Sequence, residues 1–342
     1  FVLTGRADEP VEKLGVALVG LGNLSTNQIA PALQKTKYCR LAAIVSGTPE
    51  KRQRWSAKYH LPTRAIYTYE TFDKIKENPD VDIVYVVLPN AMHGEYTIRA
   101  AQAGKHVLCE KPMEVSVEKC QEMIEACRKH GRQLAVGYRC QFVPHHLEMM
   151  RISRERQFGP LKLLEASFGF RIGDPNQWRL KHALAGGGAL MDVGVYALQG
   201  CRYTAGAEPV EISAFETKTD LEKFKEVDET ISWHMKFPDG VIATGGTSYS
   251  ANGINRLYAG FENGWASLDP AYSYGGLKGR TSKGEMDLPQ VDHFAAELDD
   301  FAQCILQNKP TRVPGETGLQ DLKITTAIYD SIRSGGKTIQ LA

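Results

Sequence analysis

Residues 14–25, LGVALVGLGNLS, decide the fold. Leu14 to Gly20 is an apolar run of the kind that forms a strand buried on both faces. It ends in Gly20-Leu21-Gly22-Asn23, and a helical pattern follows to about Lys37, with Ile29, Ala32 and Leu33 as its apolar positions. Gly20 permits the tight turn of a dinucleotide-binding fingerprint. Gly22 lets a pyrophosphate approach the backbone and the helix N-terminus. Ser25 stands where a third glycine or alanine is usual; it is small enough for close packing and carries a hydroxyl able to reach phosphate. Gly20, Gly22, Asn23 and Leu24 are therefore candidate cofactor contacts, although a strand–helix turn without a ligand can also carry two such glycines.

The rhythm downstream favours the nucleotide. Cys39–Val45, Asp82–Leu88, His106–Glu110 and Gln133–Gly137 read as strands, with helices at Pro49–Tyr59, Glu95–Ala103 and Val117–His130 between them. This alternation predicts a parallel sheet covered on both faces. Beyond Tyr138 the pattern changes. Leu161–Arg171, Glu211–Thr219, Thr230–Phe237 and Gly240–Tyr249 read as strands, the last two joined by Pro238-Asp239-Gly240, a strong hairpin signal. Arg256–Phe261 and Gly264–Asp269 form a second hairpin, and Phe294–Gln307 and Gly318–Ser334 read as late helices. The expected fold class is α/β: an N-terminal Rossmann dinucleotide-binding domain plus a C-terminal α+β domain with a large, open, mostly antiparallel sheet. The expected domains are an arm at 1–13, the dinucleotide-binding domain at 14–137, and a substrate-binding and oligomerisation domain at 138–342, its last helices packing back on the first domain.

Composition narrows the function. The 41 basic and 40 acidic residues leave a formal charge of +1, which offers no surface for nucleic acid or acidic lipid. No apolar run approaches the ~20 residues that span a bilayer. The seven cysteines are scattered without a CxxC pair, so neither a metal site nor a disulfide framework is expected. The sequence begins with Phe1: removal of a leader would put the protein in the periplasm, and its absence in the cytoplasm.

Cofactor preference is written at the end of the second strand. An NAD site places an acidic residue there for the ribose hydroxyls. Here the strand ends in Val45-Ser46-Gly47-Thr48, followed by Glu50-Lys51-Arg52. A serine and nearby cations suit a 2′-phosphate, so NADP is the expected cofactor, with Ser46 and Lys51 as contacts. The other cations read as a solvated helix face. Leu88-Pro89-Asn90, with His93, ends the strand at 82–88 and falls beside the cofactor, because ligands lie beyond the carboxyl ends of such strands. Asn90 serves either as a cofactor contact or as a helix cap, and His93 either touches cofactor or sits in the loop. Glu110-Lys111-Pro112 also follows a strand, so Lys111 is aimed at the same crevice, and the proline permits a cis bond fixing the turn.

The stretch Gly186 to Tyr203, GGGALMDVGVYALQGCRY, completes the set. Three glycines give a close-approach turn, and Asp192 and Tyr196, at i and i+4, share a helix face. They form either a buried structural pair or, with Lys111, a site in which an ammonium favours the tyrosine phenolate as a general base.

The motifs GLGNLS (20–25), LPNAMH (88–93), CEKP (109–112), GYRC (137–140), QWR (177–179) and AGGGALMDVGVY (185–196) together resemble the glucose–fructose oxidoreductase family, the Gfo/Idh/MocA group. The resemblance implies a catalytic centre of Lys111, Asp192 and Tyr196. It implies a sugar pocket with Arg139, Trp178 and Arg179 beside those three, and cofactor contacts that include Glu110 and Lys111. Tyr196 stands where many members have histidine, which fits the subgroup that holds NADP tightly. The implied reaction oxidises a cyclic aldose at C1 to an aldonolactone and reduces a second sugar to an alditol. The implied assembly is a homodimer or tetramer. The alternatives are an NADP-dependent sugar dehydrogenase with exchangeable cofactor, and a non-catalytic nucleotide-binding regulator on the same scaffold.

Overall fold

The computed structural model describes residues 13–341. The expected arm at 1–13 thus lies outside the described residues, apart from Lys13. The first sheet contains β1 (Leu14–Val19), β2 (Cys39–Val45), β3 (Ile66–Tyr67), β4 (Ile83–Val86), β5 (His106–Cys109) and β6 (Leu134–Val136). Its strands are all parallel, in the order β3-β2-β1-β4-β5-β6. This is a Rossmann fold, and the order reverses between β1 and β4, where such sheets bind their ligands. The strand residues Val16–Val19, Ala43–Val45 and Ile83–Val86 are wholly buried, as a sheet covered on both faces requires.

The second sheet is built from β7 (Leu161–Gly169), β8 (Glu211–Thr217), β9 (Thr230–Lys236), β10 (Ile242–Ser248), β11 (Asn255–Phe261), β12 (Gly264–Leu268), β13 (Gly279–Thr281), β14 (Gly284–Met286) and β15 (Ile339–Gln340). Its order is β14-β13-β12-β11-β7-β10-β9-β8-β15. Every pairing is antiparallel except β7 with β10, which run parallel in the centre. β9 alternates strictly: Ile231, Trp233 and Met235 are buried, while Ser232, His234 and Lys236 face outward. One face of the sheet therefore carries a core, shared with helices Pro144–Arg154, Val195–Ala205 and Gly315–Arg333. Helix His293–Leu306 crosses back and buries Phe294, Leu298 and Phe301 in the core of the first sheet.

The helix expected to run to Lys37 is shorter. It ends at Leu33, where Thr36 Oγ1 donates to the Leu33 carbonyl, and it opens with a π turn over Ser25–Ile29. A second π turn, Leu190–Gly194, begins the helix that carries Tyr196. The structure also contains β3, β13, β14 and β15, which are too short to show a period. Among the described residues no helix is long and apolar enough to cross a membrane.

Candidate active site

The glycine turn is shaped as its sequence requires. Gly20 has φ +91°, and a Cβ there would fall 2.1 Å from the Val87 carbonyl oxygen. A Cβ on Gly22 would meet nothing within 4 Å, so its backbone faces open space at the start of the helix. Ser25 is not aimed at phosphate. Its Oγ donates to the Gly20 carbonyl at 2.6 Å and holds the turn closed. Those features fit the pyrophosphate of a dinucleotide.

A cleft of about 460 Å³ joins this turn to the second domain. Gly20, Gly22, Asn23 and Leu24 line it, and so do Ser46 and Lys51 at the end of β2. Ser46 Oγ accepts from the Thr48 N–H at 3.2 Å, leaving its own hydrogen free to donate into the cleft. Arg52 is turned back, donating to the Ser46 carbonyl at 2.6 Å. No carboxylate stands on this strand end, so the residues suit a 2′-phosphate better than a free ribose diol.

Leu88, Asn90, Glu110 and Lys111 continue the lining. Asn90 is not a cap; its Nδ2 donates across the cleft to the Ala185 carbonyl at 2.8 Å and ties the two domains together. Of the two places open to His93, contact with cofactor or a seat in the loop, the structure shows the second: it is fully buried and does not line the cleft. Its ring nitrogens lie 2.9 Å from the carbonyls of Pro112 and Leu88, so it braces two loops. Burial, with a smaller push from Lys111, lowers its pKa to about 4 against the upward pull of these carbonyls, and in the neutral ring one nitrogen donates to one of them. Lys111–Pro112 is a cis bond.

Trp178, Arg179, Asp192 and Tyr196 form the second-domain side of the same cleft. The Asp192 carboxylate is their hub. Arg179 Nε donates to Oδ2 at 3.1 Å, Tyr249 Oη donates to Oδ2 at 2.9 Å, and Lys111 Nζ lies 3.4 Å from Oδ1. Burial alone would raise this carboxyl, but Arg179 and Lys111 hold it below the usual carboxylate range. Lys111 Nζ also donates to the Asp192 main-chain carbonyl at 2.6 Å, on the π turn, and sits 4.8 Å from the centroid of the Tyr196 ring.

The three glycines act by close approach. A Cβ on Gly187 would lie 2.1 Å from Tyr329 Oη, and one on Gly188 2.0 Å from the Asp228 carbonyl oxygen. Asp228 accepts from the N–H groups of Gly188 and Leu190 and from the Tyr329 hydroxyl. It thereby anchors the turn from which Asp192 and Tyr196 project.

Arg139, expected in the sugar pocket, does not line it. It is 2% exposed, lies behind Tyr196, and donates from Nε to the Tyr196 hydroxyl at 3.2 Å. The Tyr196 phenol is raised above its ordinary pKa by burial, while Arg139 pulls it back down. The sequence reading also missed Tyr249 and Tyr274, which face these groups from the second domain. Neither follows a motif, and their positions come from strand and loop packing far along the chain.

Comparison with known proteins agrees with this architecture. Residues 14–138 match the Gfo/Idh/MocA model for an oxidoreductase family with an NAD-binding Rossmann fold. Residues 146–267 match a GFO/IDH/MocA C-terminal domain, and 272–341 an oxidoreductase-family C-terminal α/β domain. The crystal structure of aldose-aldose oxidoreductase from Caulobacter crescentus, complexed with glycerol, is 45% identical. It covers 96% of this chain and 100% of that one, with a TM-score of 0.94. D-xylose 1-dehydrogenase [NADP(+)] of Haloarcula marismortui is 31% identical over 95% of this chain and 91% of that protein. A 3-ketoreductase from Actinomadura kijaniata, solved with NADP and TDP-benzene, is 23% identical with a TM-score of 0.82 over 94% and 98%, a likeness of fold alone.

Proposed function

The chain belongs to the Gfo/Idh/MocA oxidoreductase family, and we propose that it is an NADP-dependent sugar oxidoreductase that oxidises a cyclic aldose at C1 to an aldonolactone and reduces a second aldose to an alditol. One observation carries this reading: a single cleft is lined both by the glycine turn with Ser46 and Lys51 and by Lys111, Asp192 and Tyr196. When bound, NADP supplies the hydride acceptor for the first sugar and, once reduced, the donor for the second. The backbone at Gly22, Asn23 and Leu24 holds its pyrophosphate, and Ser46 and Lys51 its 2′-phosphate.

In this reading Tyr196 takes the proton of the C1 hydroxyl and returns it to the second sugar. Lys111 has three N–H donors, of which two point at Asp192 oxygens, so one remains for a sugar oxygen. Asp192 fixes the direction of both Lys111 and Arg179. Trp178, with the Arg179 guanidinium 4.6 Å from its ring centroid, offers a flat wall for a pyranose. The aldose-aldose oxidoreductase of Caulobacter crescentus supports the two-sugar form of the reaction.

The xylose dehydrogenase relative favours a second reading, in which NADP leaves after each oxidation. Incubation of undialysed protein with an aldose, without added cofactor, separates the two. Equal amounts of lactone and alditol over many turnovers support the two-sugar enzyme. Lactone formation that requires added NADP supports the dehydrogenase.

The open face of the second sheet supports a homodimer or tetramer. Ile242, 48% exposed, pairs with Leu163, 37% exposed; Leu163 opposes Gly260, and Gly260 opposes Trp265. This apolar stripe crosses four adjacent strands and is the kind of surface a partner subunit covers. Sedimentation equilibrium should give a multiple of the monomer mass; a concentration-independent monomer contradicts the assignment.

A further inference from the structure

The Arg139 guanidinium is a buried charge whose hydrogen bonds, among the described residues, all go to groups other than carboxylates. Its Nε donates to Tyr196 Oη at 3.2 Å, Nη2 to the Tyr272 carbonyl at 2.5 Å, and Nη1 to the Ser273 carbonyl at 3.4 Å. Nη1 also lies 2.9 Å from His293 Nδ1. Guanidinium can only donate, so His293 accepts at Nδ1 and carries its hydrogen on Nε2. Burial and Arg139 together lower His293 to about 4, in keeping with a neutral ring. The guanidinium also lies against two aromatic faces, 4.6 Å from the Tyr196 centroid and 4.7 Å from that of Tyr274. Among the described residues, no carboxylate takes a hydrogen bond from it.

Neutral acceptors satisfy the N–H groups of such an arginine but not its charge. Arginine does not shed its proton in a protein, and an isolated buried charge is costly. The carboxyls nearest to a remedy are Glu110 and Glu297, which share the Tyr85 hydroxyl at 2.7 and 3.4 Å. Burial raises both, Arg139 pulls each back down, and neither takes a hydrogen bond from the guanidinium. Lys111, the other cation facing Tyr196, is directed at Asp192 and at the ring face, not at the hydroxyl. From the segment that follows β6, Cys140 also faces the ring, and Tyr274 faces it from the loop after β12.

We propose that Arg139 is a positioning residue that supplies the counter-charge of the Tyr196 phenolate: deprotonation of Tyr196 gives a buried cation, hydrogen-bonded to no carboxylate, a hydrogen-bonded anionic partner. The inference rests on the reading of Tyr196 as the group that exchanges the proton with sugar. It moves the activation of that phenol from Lys111, which then serves the sugar and Asp192, to a residue outside the cleft. His293 holds the guanidinium plane from behind, so that Nε stays on the phenol oxygen.

The test places a fluorinated tyrosine at position 196 of the full-length protein and follows its ionisation by fluorine NMR across pH, free of the other tyrosines. In Arg139→Met the midpoint should rise by at least about one pH unit, the size of effect an adjacent opposite charge produces. Arg139→Lys should recover part of that shift. The limb of the rate profile that reports Tyr196 should move upward with it. If Arg139→Met does not fold, Arg139→Gln, which keeps donors without charge, carries the same expectation. An unchanged midpoint in a folded, uncharged variant, with a rate lowered equally at all pH values, overturns the proposal and leaves Arg139 as a packing residue. A natural Tyr196→Phe protein that keeps the parent rate defeats the functional reading instead, whatever the fluorine midpoint does.

Discussion

Lys111 and Asp192 meet twice: Nζ is 2.6 Å from the main-chain carbonyl of Asp192 and 3.4 Å from its carboxylate. A lysine from the first domain thus reads the position of a π turn in the second, and the cleft closes on a buried charge cluster. The Asp192 carboxyl is held below its unfolded value, against burial, by Arg179 and Lys111. A depressed carboxyl contributes stability that is complete above the unfolded pKa of ~3.9 and is lost as pH falls through the folded pKa. Asp192→Asn should therefore cost about 1.5–3 kcal/mol near neutral pH, as for hydrogen bonds to a charged group. Chemical denaturation of both proteins should show the gap constant from about pH 5 to 8 and narrowing below about pH 4. A gap independent of pH would mean that the carboxylate charge contributes nothing.

Much of this was legible in the sequence, for physical reasons. The Gly20–Gly22 turn and the strand–helix alternation imply a parallel sheet because few other structures bury uninterrupted apolar strands. Asp239-Gly240 announced the β9–β10 hairpin, since Gly240 takes the positive φ the turn demands. The same logic aimed Lys111 at the crevice. The central β7–β10 pairing was not legible, because no local pattern tells which strands of an antiparallel series become parallel neighbours. That Arg139 and His93 lie behind the cleft wall was not legible for a related reason. A motif shows that a residue follows a strand, but the burial of its side chain depends on Tyr272, His293 or Pro112, residues that pack against it from elsewhere in the chain.

Lys51 lines the cleft beside Ser46, whereas Arg52 is spent on the Ser46 carbonyl. Lys51→Ala should weaken NADP by about tenfold or more, the loss of one charge-assisted bond, and leave NAD nearly unchanged. Titration of the apoprotein with both nucleotides checks this. Equal weakening of the two would remove Lys51 from the 2′-phosphate site.

Gly188 has no room for a side chain, since a Cβ would lie 2.0 Å from the Asp228 carbonyl oxygen. Gly188→Ala must displace the turn or the strand entry that holds Asp228. A loss of about 1–3 kcal/mol is expected, as for other overpacked sites, together with a fall in activity because Asp192 and Tyr196 follow the turn. Thermal unfolding and steady-state rates measure both. A variant with parent stability and rate would show that the turn is not anchored in this way.

The most direct test of the account is the proton step at Tyr196. Tyr196→Phe keeps the ring under Lys111 and Arg139 and removes only the hydroxyl. The measurement is the single-turnover rate of NADP reduction by excess aldose, followed by absorbance across pH, with NADP affinity determined in parallel. NADP binding should be nearly unchanged and the rate lowered by ~10²–10⁴-fold, as for a lost general base. A Tyr196→Phe protein that retains the parent rate and pH profile would contradict it and leave Tyr196 as a structural partner of Arg139.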